Sequence, residues 1–200
     1  MSKIVVFMNL SLDGVMQAPG RPEEDRRGGF QYGGWGAPYD GMTAAGSSTP
    51  NFDALLLGRL TYEQLFAYWH GRKDDNPFTA RLDSLPKYVA STTLKEPLAW
   101  INSTLLKGDA AQSVADLKTR LGKDKDIVIM GSGGLIQTLM LHNLVDRYVL
   151  LIHPLVLGAG RRLFSDGATF ARLKLISVNQ TPKGVLVVAY EPAEPLQPAS

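Results

Sequence analysis

Asp126-Ile-Val-Ile-Met130 runs directly into Gly131-Ser-Gly-Gly134, and Leu135-Ile-Gln-Thr-Leu-Met-Leu141 follows. The first five residues are an apolar run behind one Asp, the length of a buried strand. The glycines break that run, and Ile136, Leu139 and Met140 then fall on one stripe of a helix. Strand, glycine turn and helix in that order are half of a βαβ crossover and imply parallel pairing. A glycine turn at a helix N-terminus also lets backbone N–H groups approach an anion, where the helix dipole favours one.

The pattern recurs on both sides. Residues 53–58 read as a strand ending in Gly58, and the helix after it carries Tyr62, Leu65, Phe66 and Trp69 on one face. Residues 87–91 read as a strand ending in Ser91-Thr92-Thr93, with a short helix expected over 79–84 and another short strand at Trp100-Ile101. A helix is expected over 113–121, with Val114, Leu117 and Leu121 inward and Gly122 as its C-cap. Upstream, residues 4–8 form a first strand that continues through Asp13. Val5, Phe7, Asn9, Ser11 and Asp13 then share a face that turns from apolar to polar.

Downstream, residues 147–153, 173–178 and 185–190 are strands, the last two an antiparallel hairpin through Thr181-Pro-Lys-Gly184. The expected fold is one α/β domain over 1–191, a mostly parallel mixed sheet with antiparallel C-terminal strands. The Pro-rich tail 192–200 reads as disordered.

Composition excludes several classes. The 200 residues hold no cysteine, which removes disulfides, thiol nucleophiles and cysteine metal sites. The net charge is +2 and no Lys/Arg stripe offers a footprint for nucleic acid. No apolar run reaches the ~18 residues of a membrane span, and no signal-peptide h-region follows Met1, so the chain reads as cytoplasmic. His70, His142 and His153 have no metal-ligand spacing; His142 reads as a helix cap and His153 as a strand end, and no metal site is expected. The G-x-G-x-x-G fingerprint fails at Ile136, and there is no G-x-x-x-x-G-K-[ST] or G-x-S-x-G motif.

What remains is a cluster of strand ends, where ligands of parallel sheets collect. Gly58-Arg59-Leu60-Thr61, Ser91-Thr92-Thr93 and Gly131-Ser132-Gly133-Gly134 stand at three of them. Arg59 can fork a phosphate, the hydroxyls can donate to a phosphate ester, and the glycines expose N–H groups. Each also has a plain structural reading as a turn, a surface charge or a cap. Asp13, at the end of a buried strand, is the carboxylate expected to carry chemistry, with a pKa raised by partial burial; a turn-forming Asp-Gly is the alternative. Residues 17–37 form a long Gly/Pro-rich loop whose Phe30, Tyr32 and Trp35 suggest a lid.

Ser11-Leu-Asp-Gly14, Leu57-Gly-Arg-Leu-Thr-Tyr-Glu63, Lys87-Tyr-Val-Ala-Ser91, Gly131-Ser-Gly-Gly134, Leu144-Val-Asp-Arg-Tyr148 and Pro154-Leu-Val-Leu-Gly-Ala-Gly160 with Leu163-Phe164 come in one order. In that order they resemble the dihydrofolate-reductase-like superfamily, specifically the reductase domain of riboflavin-biosynthesis bifunctional enzymes and its stand-alone relatives. The resemblance implies a three-layer dihydrofolate-reductase-like fold, an NADPH-dependent reductase and a homodimer. It implies that Gly58, Arg59 and Thr61 meet cofactor phosphates, that Ser91, Thr92 and Thr93 lie near the 2′-phosphate, and that Gly131, Ser132, Gly133, Gly134 and Leu135 hold the pyrophosphate. Asn9, Ser11, Phe30 and Trp35 fall on the substrate side, with Asp13 orienting a small heterocyclic, pterin- or pyrimidine-like substrate. Two departures stand out. Val15 replaces the lysine after Asp-Gly, and the arginine-bearing segment that recognises a substrate phosphate has no counterpart. Glu24, Asp25 and Asp40 are the candidates for the acid of the first helix. A non-catalytic NADP-binding sensor or structural dimer, and a plain interaction module, are the rival readings.

Overall fold

The computed structural model describes residues 1–39, 49–72, 77–164 and 170–194. Eight strands hydrogen-bond in the order β4-β3-β2-β5-β1-β6-β8-β7. They are β1 (Lys3–Ser11), β2 (Ala54–Gly58), β3 (Lys87–Ala90), β4 (Ser103–Leu106), β5 (Asp126–Ile129), β6 (Arg147–His153), β7 (Leu173–Gln180) and β8 (Leu186–Pro192). The helices are α1 (Arg59–Trp69), α2 (Pro77–Ser84), α3 (Ala110–Arg120) and α4 (Gly133–Leu141). The chain divides into two compact units, Met1–Val5 with Pro50–Leu144 and Val6–Thr49 with Val145–Ser200.

In the first unit, β2 pairs in parallel with both β3 and β5, and β3 with β4. Leu55, Leu56, Leu57, Ile127, Val128 and Ile129 are fully buried, as strands enclosed on both faces must be. Among the described residues, all four α-helices belong to this unit. Asp109 caps α3, its side chain accepting from the Gln112 N–H at 2.8 Å, and Val114 and Leu117 fill the core side. The expected strand at Trp100-Ile101 is not there. The Trp100 N–H donates to the Tyr62 hydroxyl at 2.8 Å instead of to a ladder, Asn102 turns the chain at φ +58°, and β4 begins at Ser103.

A feature with no sequence signal sits beneath Trp100. Lys87 opens β3 yet is fully buried, its Nζ donating to the carbonyls of Leu82 (2.7 Å) and Leu85 (2.8 Å) at the end of α2. The ammonium lies 4.6 Å from the centre of the Trp100 ring. Cationic donors suit a helix C-terminus, where unpaired carbonyls gather.

In the second unit, β6 and β7 each pair antiparallel with β8. β1 ends at Ser11, two residues short of expectation, because the backbone folds on itself there. Ser11 N–H bonds to Val15 O and the Val15 N–H to Ser11 Oγ, both at 2.9 Å, with Gly14 at φ +80° in the turn. β6 lies inside the sheet between β1 and β8, and β7 is an edge strand. The tail is ordered at least to Glu194, through Ala193 N–H to Arg172 O at 2.9 Å and Arg172 Nη1 to Glu194 O at 2.7 Å. Residues 195–200 lie outside the described residues.

Candidate active site

In the first unit, registry brings the predicted strand ends to one level. Gly58 faces Ala90 across β2 and β3, and Ala54 faces Ile127 across β2 and β5. Four residues on, that second register sets Gly131 beside Gly58. The turn is fastened there by two bonds that the sequence does not announce. Ser132 adopts a left-handed conformation (φ 57°, ψ 41°); its Oγ accepts from the Gly58 N–H at 2.8 Å, and its own N–H donates to Thr61 Oγ1 at 3.0 Å. Gly58, Thr61, Gly131 and Ser132 are thus one cluster. A Cβ on Gly131, at φ +65°, would come within 3.0 Å of the Thr61 side chain.

This latch changes what each group offers. The N–H groups of Gly58 and Ser132, expected to be open to a phosphate, are engaged within the protein. Gly133, Gly134 and Leu135 open α4, where first-turn N–H groups have no intrahelical acceptor, and nothing would stand within 4 Å of a Cβ on Gly134. Arg59 reaches Glu63 one turn along α1, at 3.0 Å, both side chains being more than two-fifths exposed. Ser91 Oγ accepts from the N–H groups of Thr93 (3.1 Å) and Leu94 (3.0 Å), so Ser91 closes a turn, while Thr92 and Thr93 are exposed. The residues present fit a diphosphate at the head of α4, a bare helix start with a hydroxyl-bearing wall.

In the second unit Asp13 is not the group that was expected. Its carboxyl pKa is lowered to about 2, foremost by the Ser11 hydroxyl, which donates to it at 2.6 Å. Partial burial opposes that shift, and the N–H groups of Leu157 (3.1 Å) and Gly158 (2.9 Å) reinforce it. Arg162 adds a contact at 3.4 Å. A carboxylate bound by so many donors stays ionised and offers no proton near neutrality. Ser11, expected on the substrate side, is buried and occupied by Asp13 and Val15. Among the other candidate acids, Glu24 accepts from the N–H groups of Gly20 and Arg21, and Asp25 is held below its ordinary pKa by the Arg27 side chain. Asp40 lies outside the described residues.

The aromatic loop is packed rather than hovering. Phe30 and Trp35 are buried with Val15 and Ala18 against Leu155 and Leu157, and only Tyr32 of the three aromatics is exposed. The Trp35 indole N–H donates to Gln17 O at 2.7 Å. Gln17, which the sequence reading missed, is the organiser: its amide donates to Asp25 O and Arg27 O and accepts from the Arg161 N–H. In this structure the rings of Phe30 and Trp35 are packed into the core instead of standing free over a site. An open depression of about 400 Å³ flanks this loop, lined by Gln17, Arg27, Phe30, Tyr32, Gly160 and Arg161, and it includes neither Asn9 nor Asp13. Asn9 is buried on β1, with Oδ1 2.9 Å from Nε2 of the fully enclosed His153.

With that geometry described, comparison with known proteins is informative. The model of the RibD C-terminal domain matches residues 2–187. The chain belongs to the RibD C-terminal domain family. Within reach of this member is the uncharacterized protein YyaP of Bacillus subtilis strain 168, 33% identical over 146 residues, which span 69% of this chain and 73% of that one. A putative riboflavin biosynthesis protein from Shewanella sp. PV-4 superposes with a TM-score of 0.65 at 22% identity, covering 96% of this chain and 99% of its own. A dihydrofolate reductase from Enterococcus faecalis, solved with NADP(H) and RAB-propyl, superposes at 0.58 with 14% identity, over 96% and 97% of the two chains. The RibD C-terminal domain here thus has the dihydrofolate-reductase-like fold that its sequence resembles. Among the described residues no group of three or more His, Asp or Glu side chains is arranged to hold a metal, and no helix is long and apolar enough to cross a membrane.

Proposed function

We propose that this protein is an NADPH-dependent reductase that passes a hydride to a small heterocyclic or related polar substrate, pterin- or pyrimidine-like. The observation that carries the reading is the latch of Ser132 on Gly58 and Thr61, which holds the start of α4 as a phosphate cradle at the ends of β2 and β5. Family membership and the fold shared with an NADP(H)-bound reductase support it. Gly133, Gly134 and Leu135 would receive the diphosphate, with Thr61 beside them. Arg59 and the Ser91–Thr93 hydroxyls would take the 2′-phosphate, Arg59 exchanging Glu63 for it. When bound, the cofactor supplies the hydride.

The second unit's share is orientation. Asp13, ionised at neutral pH, ties the turn after β1 to Leu157 and Gly158 and so positions the substrate side instead of donating a proton. Asp13 is held ionised and offers no proton near neutrality, so in this reading water supplies the proton that accompanies the hydride. That same observation favours the rival, a non-catalytic NADP-binding sensor. The reading also takes the protein as a cytoplasmic homodimer; the exposed Leu175, Ile176 and Val178 on edge strand β7 support an association face.

The test is NADPH and NADH binding by nicotinamide fluorescence, followed by NADPH oxidation with pterin and pyrimidine substrates. Gly134→Asp gives the sharp control. A carboxylate in the first turn suits the helix dipole yet repels phosphate, so thermal stability should hold while NADPH affinity falls. Binding without oxidation would select the sensor, and binding of neither nucleotide would overturn both.

A further inference from the structure

His153, at the end of β6, has no part in the reaction as proposed, yet it is the most completely enclosed titratable group of the second unit. Its Nε2 lies 2.9 Å from Asn9 Oδ1. An amide oxygen only accepts, so Nε2 carries the ring proton and donates it. Nδ1 is then a bare lone pair, enclosed and without a partner. Trp35 and Tyr39 stand edge-on to the imidazole, with ring centres 5.1 and 5.3 Å away. Walled in this way, the ring stays neutral and has no path to exchange protons with solvent. What it can do is hold Asn9.

Fixing one end of an amide fixes the other. With Oδ1 committed to the imidazole, Asn9 Nδ2 points to the opposite side with two N–H donors. Among the described residues, none accepts a hydrogen bond from Nδ2. It is nevertheless absent from the fully enclosed, unpartnered side-chain atoms, which among the described residues are Ser103 Oγ and His153 Nδ1. The residue as a whole is 8% exposed, so its small remaining access includes this NH₂. A nearly buried amide with both donors unspent is destabilising unless something accepts from it. Asn9 precedes Ser11 on β1, the strand whose end the proposed function gives to the ligand.

We infer that Asn9 is a ligand-binding donor and His153 its positioning residue. Together they present the Nδ2 amide to a hydrogen-bond acceptor, a carbonyl oxygen or an unprotonated ring nitrogen, on the group bound at the end of β1. The pair also discriminates: a ligand turning an amino group to Asn9 would set donor against donor, so oxo-substituted rings are favoured over amino-substituted ones. The inference rests on the proposed function only in supplying the two sources of that acceptor, the nicotinamide carboxamide of NADPH and an oxo-heterocyclic substrate.

The experiment follows the Asn9 side-chain NH₂ resonances of the ¹⁵N-labelled full chain, assigned by their loss in Asn9→Leu. NADPH, uracil and 2,4-diaminopyrimidine are the probes, with uracil added both alone and to the NADPH-bound protein. Movement with uracil marks the substrate as the source, and movement with NADPH alone marks the carboxamide; either supports the assignment. The responding probe should bind about 2- to 10-fold more weakly to His153→Leu, the scale of one hydrogen bond. His153→Gln, which restores an N–H donor, should recover most of that loss. The double variant Asn9→Leu with His153→Leu leaves no orphaned polar atom and should fold while lacking the response, which separates binding from stability. Resonances that no probe moves, a stronger response to 2,4-diaminopyrimidine than to uracil, or unchanged affinity in His153→Leu would each overturn the inference. If uracil moves Asn9 while NADPH fails to bind, the reductase reading falls and this one stands.

Discussion

Replacing Asp13 by Asn measures how much the carboxylate clamp contributes and what it is for. Oδ1 accepts from Ser11 Oγ at 2.6 Å and Leu157 N–H at 3.1 Å; Oδ2 accepts from Gly158 N–H at 2.9 Å and meets Arg162 at 3.4 Å. Asparagine keeps one acceptor and turns an NH₂ toward donors at the other. A pKa lowered from 3.8 to about 2 sets a ceiling of roughly 2 kcal/mol on the clamp. The Asp13 side chain is 19% exposed and that of Arg162 44%, so solvent screens the ionic part and about 1 kcal/mol is expected. For a chain of this size that is a fall of about 2–4 °C in Tm. The folded-state pKa lies below the unfolded one, so the stabilisation is full above 3.8 and disappears as pH falls toward 2. Urea unfolding of both proteins from neutral to strongly acid pH reads this as a gap that closes. Equal stability at neutral pH, or a gap that persists in acid, would refute the clamp. In NADPH oxidation the variant should lose turnover more than cofactor affinity, since Asp13 and the groups it ties all lie in the second unit.

The other expectations concern the latch, the buried groups and the exposed arginine. Gly131→Ala places a side chain at φ +65° against Thr61 and should cost about 1–2 kcal/mol while weakening NADPH binding, read by thermal shift with and without the nucleotide. Burial lowers the pKa of His153 from 6.5 to about 4, so the unfolded chain binds the extra proton between those values. Stability should therefore drop by up to roughly 3 kcal/mol as pH falls through that window, a slope that His153→Leu removes. Lys87→Met strips the donors from the carbonyls that close α2 and should cost about 1–3 kcal/mol in denaturant unfolding. Arg59→Ala breaks only an exposed pair with Glu63; stability should move by less than about 0.5 kcal/mol while NADPH affinity falls.

The parts of the fold that obey local rules were legible from residues alone. β6 runs from Arg147 to His153 as expected, and β2, β3 and β5 stop at Gly58, just before Ser91 and two residues before Gly131, because glycine and hydroxyl residues end strands regardless of context. The failures share a different cause. Trp100 reads as strand until Tyr62, on another element, takes its N–H. Asp13 reads as a raised acid until the Ser11 hydroxyl, joined by the N–H groups of Leu157 and Gly158 some 144 residues along the chain, binds its carboxylate. Phe30 and Trp35 read as a lid because a Gly-rich loop carries no periodicity to reveal that Gln17 ties it down. Pairing Asn9 with His153 needed the register of two strands at opposite ends of the sequence, which composition does not encode.

The division of the chain also bears on how the protein is made. The second unit combines Val6–Thr49 with Val145–Ser200, whereas Pro50–Leu144 of the first is continuous. On the ribosome, Val6, Phe7, Met8 and Leu10 emerge well over a hundred residues before β6, the strand that pairs with theirs within their own unit. The middle of the chain can compact while this opening strand still waits, and a polypeptide halted after Leu144 would keep those aliphatic and aromatic side chains uncovered. Nascent chains should therefore depend on chaperone shielding until β6 is released, and truncation after Leu144 should give aggregation rather than a soluble half.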